Sequence, residues 1–295
     1  MSKKQMRKRA SIGRFVAYAF LAFSLVFYGV PLIWLFVAGT RSQASLFTDS
    51  VFTVGSWVQA KHTWNNLTSY NDFQILTWAK NSVIYSAGGV SLALVTCIPA
   101  GYALALSEFP GRRLILILTL VAMITPSQAI VLPIFLELLT LKLNNTYLGL
   151  IMATGFFPFG VYLAYVFFSS SLPKGVMDSA RVDGCSRFQQ FIHIGLPLAT
   201  PIIALAAFFS FLANWSNYFL AFVLLSNEKL FNLPLGLTSL ISSSGALVNQ
   251  AANDIPVRMP EAIQAAIVVV APVLVVFLVA QRFVRTGMLA GAEKG

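Results

Sequence analysis

Charged side chains of both signs lie close together in one polar stretch of an otherwise apolar sequence, residues 169–198. Asp178, Arg181 and Asp183 could form charge-assisted hydrogen bonds with another protein. The whole sequence contains no phosphate-binding loop G-x-x-x-x-G-K-[ST], and neither H-E-x-x-H nor G-x-S-x-G. We therefore expect this stretch to dock onto a partner and not to form a catalytic centre.

Turn and capping residues divide the stretch into two short predicted helices. Pro173 suits the first turn of the first helix, and Gly184 suits its C′ position, where φ is often positive. Ser186 and Gln189 have the spacing of a capping box for the second helix. We expect Pro197 to break that second helix before the next apolar run begins.

The first of these helices is predicted to carry small and apolar residues on one side. Val176, Ala180 and Val182 are assigned to that side, with Ser179 beside them. Such a ridge with flanking charges would fit a groove in another protein. A surface-lying amphipathic helix without a partner is the alternative, and the pattern alone does not decide between the two.

The same residues resemble the Glu-Ala-Ala motif found in permeases of binding-protein-dependent ABC importers. The motif would run from 178 to 197 with the family's spacing, although Asp178 replaces the glutamate and Ser179 the first alanine. We name residues 169–198 the coupling loop. The resemblance implies these ATPase-coupling residues: Asp178, Ser179, Ala180, Arg181, Asp183, Gly184, Ile194, Leu196 and Pro197.

The C-terminal residues resemble those of the sugar-importing branch of this family, the relatives of the maltose permease subunit MalG. The similarity covers residues 281–283 and 286–295. It implies that Leu289, Gly291 and Lys294 reach toward the ATPase interface.

This resemblance implies an all-α, polytopic membrane protein with the MetI-like permease fold, in an importer of a sugar or oligosaccharide. Two separate ATPase subunits would bind ATP and Mg²⁺, so the chain itself would bind no cofactor or metal and would not be an enzyme. A second, homologous permease subunit and an extracytoplasmic solute-binding protein would complete the importer in a prokaryotic inner (plasma) membrane. A non-sugar solute, such as a glycerophosphodiester or another polyol-like compound, is the alternative.

Four residues within one apolar run are candidates for the substrate path: Asn214, Trp215, Asn217 and Tyr218. Polar residues inside a membrane usually face the helix bundle or a cavity. Sugars suit an aromatic ring for stacking beside amide donors. Hydrogen bonding between helices is the competing interpretation, and in some relatives the partner permease holds the sugar almost alone.

Six apolar runs are long enough to cross the bilayer as helices, since a span needs about 20 residues. They are residues 15–38, 81–106, 114–139, 146–168, 199–225 and 262–281. Pro99, Pro126 and Pro158 are expected to kink the second, third and fourth runs. Because Glu137 is the only ionisable acidic or basic residue in the six runs, an ion-coupled secondary transporter would lack its relay.

The basic residues predict the orientation of the chain. If all six runs span the membrane, fourteen of the 20 lysine and arginine residues share the side of the N-terminal tail, so both termini are expected in the cytoplasm. The expected organisation is a basic tail at 1–14, a first span at 15–38, an extracytoplasmic loop at 39–80, a core of five further spans with the coupling loop at 81–283, and a cytoplasmic tail at 284–295.

Four aromatic residues in the loop 39–80 have the character of interfacial anchors, with contact to an external partner as the alternative. They are Trp57, Trp64, Tyr70 and Trp78.

The composition agrees with a membrane protein, because 57% of the residues are apolar and only 10% are charged, against about a quarter charged in soluble domains. The net charge of +10 does not indicate nucleic-acid binding, since no polar face interleaves basic and aromatic residues. Cys97 and Cys185 would lie at different depths, so no disulfide is expected. His62 and His193 lack the spacing of metal ligands.

Overall fold

A computed structural model describes residues 3–69, 74–172, 174–244 and 258–292, with side chains over 13–69, 74–172, 175–242 and 258–281. Helices account for all the regular structure in these parts of the chain. In chain order they are α1 (Lys3–Ala38), α2 (Gln43–Thr48), α3 (Trp57–Ser69), α4 (Gln74–Leu106), α5 (Arg112–Ile124), α6 (Ser127–Thr140), α7 (Tyr147–Gly155), α8 (Pro158–Ser171), α9 (Lys174–Val182), α10 (Arg187–Gln190), a π-helical segment (Phe191–Gly195), α11 (Leu196–Leu198), α12 (Thr200–Trp215), α13 (Phe219–Leu224), a 3₁₀ turn (Glu228–Leu230), α14 (Leu233–Ser244) and α15 (Met259–Ala292).

Three described helical segments are long and apolar enough to cross a membrane by themselves: Gly13–Ala38, Gln74–Leu106 and Met259–Gln281. Three further helix pairs pass the same test but bend at a short break. The bend is 107° between α5 and α6, 41° between α7 and α8, and 75° between Arg187–Leu198 and α12. Counting each bent pair as one span brings the number to six.

Proline lies at each of these breaks, with Pro201 as the second residue of α12, but not every predicted kink is a break. Pro126 immediately precedes α6, and Pro158 is the first residue of α8, where its missing N–H costs no hydrogen bond. Pro99 instead lies within the continuous helix α4. The predicted run 199–225 is not one helix, because α12 ends at Trp215 and α13 begins only at Phe219.

The first of two compact units contains Met1–Phe73 and Leu240–Ile267. One buried side-chain amide joins three of its helices. Gln264 Nε2 donates to the carbonyls of Gly39, at 2.8 Å, and Ala60, at 2.9 Å. These bonds join the end of α1 and the first turn of α3 to the second turn of α15.

A buried arginine shapes the segment that follows α1 in this unit. The Arg41 guanidinium donates to the backbone carbonyls of Ser45, Ser50 and Val51. Arg41 is 1% exposed, so these bonds replace water around a buried charge. The arginine thereby folds α2 and the residues after it back against the end of α1.

The second unit contains Gln74–Ser239 and Val268–Gly295, with α4 packed against α7, α8 and α12. The approach of α4 to α8 depends on Gly101, because a Cβ at this position would overlap Ala164. Cys97 is buried in this core, and both Cys97 and Cys185 are free thiols, as predicted.

Candidate functional site

Helix α9 ends in a Schellman motif, with Gly184 at the C′ position that the sequence predicted. Gly184 has a φ of 80°. Its N–H donates to the Arg181 carbonyl at 3.1 Å, and the Cys185 N–H donates to the Ala180 carbonyl at 2.9 Å. A Cβ on Gly184 would meet no atom within 4 Å, so the left-handed backbone, and not crowding, favours glycine here.

The second predicted helix of the coupling loop begins where expected but does not end at Pro197. Ser186 Oγ accepts the Gln189 N–H at 3.3 Å, and Gln189 Oε1 accepts the Ser186 N–H at 2.8 Å, which confirms the capping box. The chain remains helical through Phe191–Gly195 and α11, and it bends only after Leu198. Pro197 lies inside this helical stretch, just after the change from the π-helical segment to α11. Pro173 lies outside the described residues.

The inward side of α9 consists of Met177 and Ala180, each 7% exposed. The prediction that Val182 shares the side of Ala180 was wrong, because Val182 is 88% exposed. Val182 is two residues from Ala180, about 200° around the helix. Val176 lies one turn before Ala180, as predicted, but is 45% exposed at the edge of that side. Met177 and Val176 lie three and four residues before Ala180, so both are near its side of the helix. Of these two, Met177 packs into the buried core.

The charged residues of α9 and its C-terminus face outward. Asp178 and Arg181 form an ion pair of 3.5 Å with both side chains exposed, an arrangement that contributes little stability in water. Ser179 and Asp183 are exposed as well, and Ser179 Oγ donates to the carbonyl of Gly175 at 2.9 Å. Of the predicted ATPase contacts on α9, these four form an outer side, whereas Ala180 belongs to the inner one.

Tyr102 of α4 packs the coupling loop against the membrane helices. Its ring meets Phe168 of α8 edge-on at 5.2 Å and Phe191 of the π-helical segment at 4.9 Å. Gly195 permits this approach, since a Cβ there would lie 2.9 Å from the Tyr102 ring. Met177 belongs to the same buried cluster. The coupling loop is therefore packed against α4 and α8.

The remaining coupling-loop residues divide between this cluster and the surface. Ile194 and Leu196 are partly buried against it, whereas Pro197 is exposed. Sequence reasoning missed Met177, Tyr102 and the π-helical segment. A tyrosine in an apolar run does not reveal from the sequence which residues it packs against. The change from α-helical to π-helical hydrogen bonding depends on tertiary packing.

Three of the four predicted path residues line one cavity of about 550 Å³, at the break between α12 and α13. They are Asn214, Asn217 and Tyr218. Asn214 is buried and its Nδ2 donates to the Ser210 carbonyl at 2.8 Å, but its Oδ1 has no hydrogen-bond partner among the described residues. This oxygen is buried against Gly89 of α4 and does not open into the cavity. Ser127 and Thr154 line the cavity as well.

Trp215 is separated from this cavity and has a packing role. Its indole N–H donates to the Val269 carbonyl at 2.8 Å, and its ring stacks on Phe211 at 5.5 Å. For Trp215 the competing interpretation, hydrogen bonding between helices, is the one that the geometry supports.

Helix α4 also holds the loop 226–233, a contact that the sequence did not predict. The Trp78 indole donates to the Glu228 carbonyl at 2.9 Å, and the Tyr85 hydroxyl donates to the Leu230 carbonyl at 2.8 Å. Because Trp78 is 3% exposed, its interpretation as an interfacial anchor was wrong. Its ring is held deep in the protein by the loop that it binds.

Several other predicted residues remain untested by these contacts. Trp57 and Trp64 are exposed, as either an interfacial or a partner-contacting residue would be, and Tyr70 is outside the described residues. Leu289 and Gly291 fall within the backbone of α15, where side chains are not described. Lys294 lies beyond the described part of the chain.

The sequence matches the profile of the family described as binding-protein-dependent transport system inner membrane component over residues 97–289. This region includes the coupling loop, the cavity at the α12–α13 break and most of α15.

Two relatives extend the similarity to nearly the whole chain. The arabinooligosaccharides transport system permease protein AraQ of Halalkalibacterium halodurans is 30% identical over 95% of this chain and 95% of its own. The diacetylchitobiose uptake system permease protein NgcG of Streptomyces coelicolor is 29% identical over 90% of this chain and 84% of its own.

A solved structure shares the fold. The crystal structure of a bacterial ABC transporter involved in the import of the acidic polysaccharide alginate contains a chain with a TM-score of 0.74 and 24% sequence identity. The match covers 96% of this chain and 98% of that one.

Proposed function

Because the chain belongs to the family of inner-membrane components of binding-protein-dependent transport systems, we propose that it is a permease subunit of an ATP-driven carbohydrate importer. The names of its relatives, which refer to arabinooligosaccharides and diacetylchitobiose, support a sugar or oligosaccharide as the substrate. Two ATPase subunits carrying ATP and Mg²⁺, a second permease and a solute-binding protein are the proposed partners. This chain would bind no nucleotide.

The observation that carries this proposal is the two-sided construction of α9. Its outer side offers Asp178, Ser179 and Arg181 to a partner, and its inner side packs Met177 into the Tyr102 cluster. A helix built in this way can transmit force, since packed interiors move as rigid bodies. Asp183, Gly184, Ile194, Leu196 and Pro197 complete the proposed coupling residues.

In the proposed mechanism, ATP-driven closure of the ATPase subunits moves the coupling loop together with α4 and α8. ATP can shift the permease only by favouring one conformation over the other. Inverting a 1:99 population to 99:1 requires about 5.5 kcal/mol of differential binding. One charged surface contact contributes far less, so the whole outer side of α9 would act with the C-terminal residues Leu289, Gly291 and Lys294.

The proposed topology has six spans with both termini in the cytoplasm. Three long apolar helices and three bent pairs are compatible with that number. The excess of lysine and arginine on the side of the N-terminal tail favours this orientation. A cysteine introduced at Ser179 should then be modified by an impermeant maleimide only after the membrane is opened.

The proposed substrate path runs through the cavity lined by Asn214, Asn217 and Tyr218. The Tyr218 hydroxyl would form a hydrogen bond with a sugar hydroxyl in this cavity. The Tyr218 ring, stacked on Phe222 at 5.8 Å, would offer an apolar face to the pyranose or furanose ring.

Cross-linking tests the partner assignment directly. Ser179→Cys in a Cys185→Ser background places one reactive thiol on the outer side of α9, while Cys97 stays buried. We expect a short bifunctional reagent to capture a nucleotide-hydrolysing polypeptide in native membranes. Ser169→Cys, on the exposed end of α8, is the matched control and should give less product.

Reconstitution tests the transport function. In proteoliposomes that contain the chain and its co-purifying subunits, ATP hydrolysis should rise when a solute-binding protein loaded with its oligosaccharide is added. A panel of arabino-, chito- and gluco-oligosaccharides identifies the substrate. ATP-independent uptake driven by an ion gradient would contradict the proposal.

A further inference from the structure

A small pocket of about 270 Å³ lies between the C-terminal end of α4 and the coupling loop. Three arginines from three different elements line it: Arg112 at the start of α5, Arg181 on α9 and Arg187 on α10. Two carboxylates, Glu108 and Asp178, line it as well. The pocket therefore has a net positive lining and is rich in hydrogen-bond donors.

Some hydrogen-bond donors of these three arginines have no acceptor among the described residues. Asp178 pairs with Arg181 at 3.5 Å, and Arg112 Nη2 donates to the Ala105 carbonyl at 3.2 Å. Within the described part of the chain, the Arg187 guanidinium has no hydrogen bond or ion pair. With three arginines against two carboxylates, one positive charge of the lining is left without a counter-charge in the pocket.

Two neutral donors add to the arginines. Tyr102 is 8% exposed and lines the pocket, yet its hydroxyl has no hydrogen-bond partner in the described ranges. Arg181 and Arg187 both lie near enough to this hydroxyl to interact with it electrostatically. Ser107 also lines the pocket, and its hydroxyl is likewise unpaired among the described side chains.

We propose that this pocket binds a phosphate group, which bridges the end of α4 to the coupling loop through Arg112, Arg181, Arg187 and Tyr102. Guanidinium groups match phosphate oxygens in geometry and charge. The volume is below the range of about 300–1,000 Å³ that holds drug-sized ligands, so it suits a compact anion better than an oligosaccharide. Basic pockets near the cytoplasmic ends of membrane helices are suited to anionic headgroups.

Such a group would have a regulatory consequence. It would tie α9 and α10 to α4 in addition to the apolar Tyr102 cluster, and so stiffen the part that the proposed function uses for coupling. The phosphate could belong to an anionic lipid headgroup or to a free phosphate compound. Both sources present the same oxygens to the arginines, and two experiments separate them.

The first experiment uses the purified full chain in a phosphate-free maltoside detergent, with equilibrium dialysis against radiolabelled inorganic phosphate. The second uses nanodiscs that contain phosphatidylglycerol, with native mass spectrometry to count retained lipid. Binding in the first identifies a free phosphate compound as a sufficient ligand. Retention in the second without binding in the first identifies a lipid headgroup. Either result supports the proposal.

Variants assign the binding to the pocket. Arg187→Gln should weaken binding by about tenfold, the loss expected for one charge-assisted hydrogen bond. Arg113→Gln is the matched control, because Arg113 follows Arg112 but is exposed and does not line the pocket. Its effect should stay within about twofold, as expected for a screened surface charge.

Two milder substitutions keep the test decisive if Arg187→Gln fails to fold. Tyr102→Phe removes only the hydroxyl and should weaken binding about threefold, as for a neutral hydrogen bond. Arg187→Lys retains the charge but loses the planar fork, so it should weaken binding while the apparent Tm is kept. Absence of binding by the native chain in both experiments, or an equal loss in Arg113→Gln, would overturn the proposal.

Discussion

The Tyr147 hydroxyl donates a 2.6 Å hydrogen bond to Asn81 Oδ1, and this contact orients the Asn81 amide toward the loop 226–233. Asn81 Nδ2 then donates to the carbonyls of Lys229, at 2.8 Å, and Phe231, at 2.9 Å. Asn81 has no exposed surface. Helices α4 and α7 and the loop therefore meet at one polar centre around the buried Asn81 side chain.

Replacing this centre should destabilise the protein. Asn81→Leu removes three hydrogen bonds, to two backbone carbonyls and the Tyr147 hydroxyl. We expect a loss of about 3 kcal/mol, since each hydrogen bond contributes about 0.5–1.5 kcal/mol. Tyr147→Phe, the milder control, should cost about 1 kcal/mol. The apparent Tm for thermal unfolding of the detergent-solubilised chain measures the loss of stability in both variants. A Tm for Asn81→Leu equal to that of the native chain would contradict this reading of the network.

Gly184→Val should abolish substrate uptake while the protein still inserts into the membrane. A β-branched residue at a φ of 80° is strongly disfavoured, so the Schellman motif would open and α9 would lose its fixed angle. Gly184→Asn is the control, because asparagine tolerates the left-handed region. Uptake in proteoliposomes and membrane content on blots are the two readouts, and equal loss of uptake in both variants would count against a conformational cause.

Met177→Ala should uncouple ATP hydrolysis from transport. Removal of the buried side chain leaves a cavity between α9 and the Tyr102 cluster, which typically costs about 2–5 kcal/mol and loosens the mechanical connection. Basal ATPase activity should persist while uptake falls. Met177→Leu conserves volume and should restore coupling. If Met177→Ala transports normally, the packed cluster is not the route by which the loop moves α4.

Tyr218→Phe should raise the KM for uptake about threefold, the loss of one neutral hydrogen bond, with an unchanged apparent Tm. Trp215→Phe should behave in the opposite way, because its lost hydrogen bond to Val269 supports the fold and not the cavity. It should lower the apparent Tm and leave KM nearly unchanged. KM and Tm measurements on the two variants therefore distinguish a residue that contacts the substrate from one that supports the fold. Reversed effects would contradict the assignment.

Local sequence signals were sufficient to predict two helix ends in the coupling loop. The capping box of Ser186 and Gln189 and the left-handed Gly184 follow from interactions between residues close in the chain. Apolar runs located the membrane helices but not their angles. The 107° bend before Ser127 depends on how α5 and α6 pack, which no short segment encodes.

Long-range contacts explain what sequence reasoning missed. Trp78 resembles an interfacial residue until the loop that accepts its hydrogen bond, 150 positions away, is known. Met177 and Val176 are equally apolar, and only the position of Tyr102 decides which of them is buried. Among the path residues, Trp215 carries the same aromatic signal as Tyr218, although the helix break turns only Tyr218 toward the cavity.

Over Gly13–Ala38, the most apolar 18-residue stretch of α1 buries none of its residues within this chain. Within this chain, hydropathy is then the main requirement on those positions, whereas the buried side chains of α4 are also constrained in shape by their neighbours. Orthologous sequences should accordingly drift fastest along α1, exchanging one aliphatic or aromatic residue for another. They should change slowest where α4 carries Trp78, Asn81 and Tyr85.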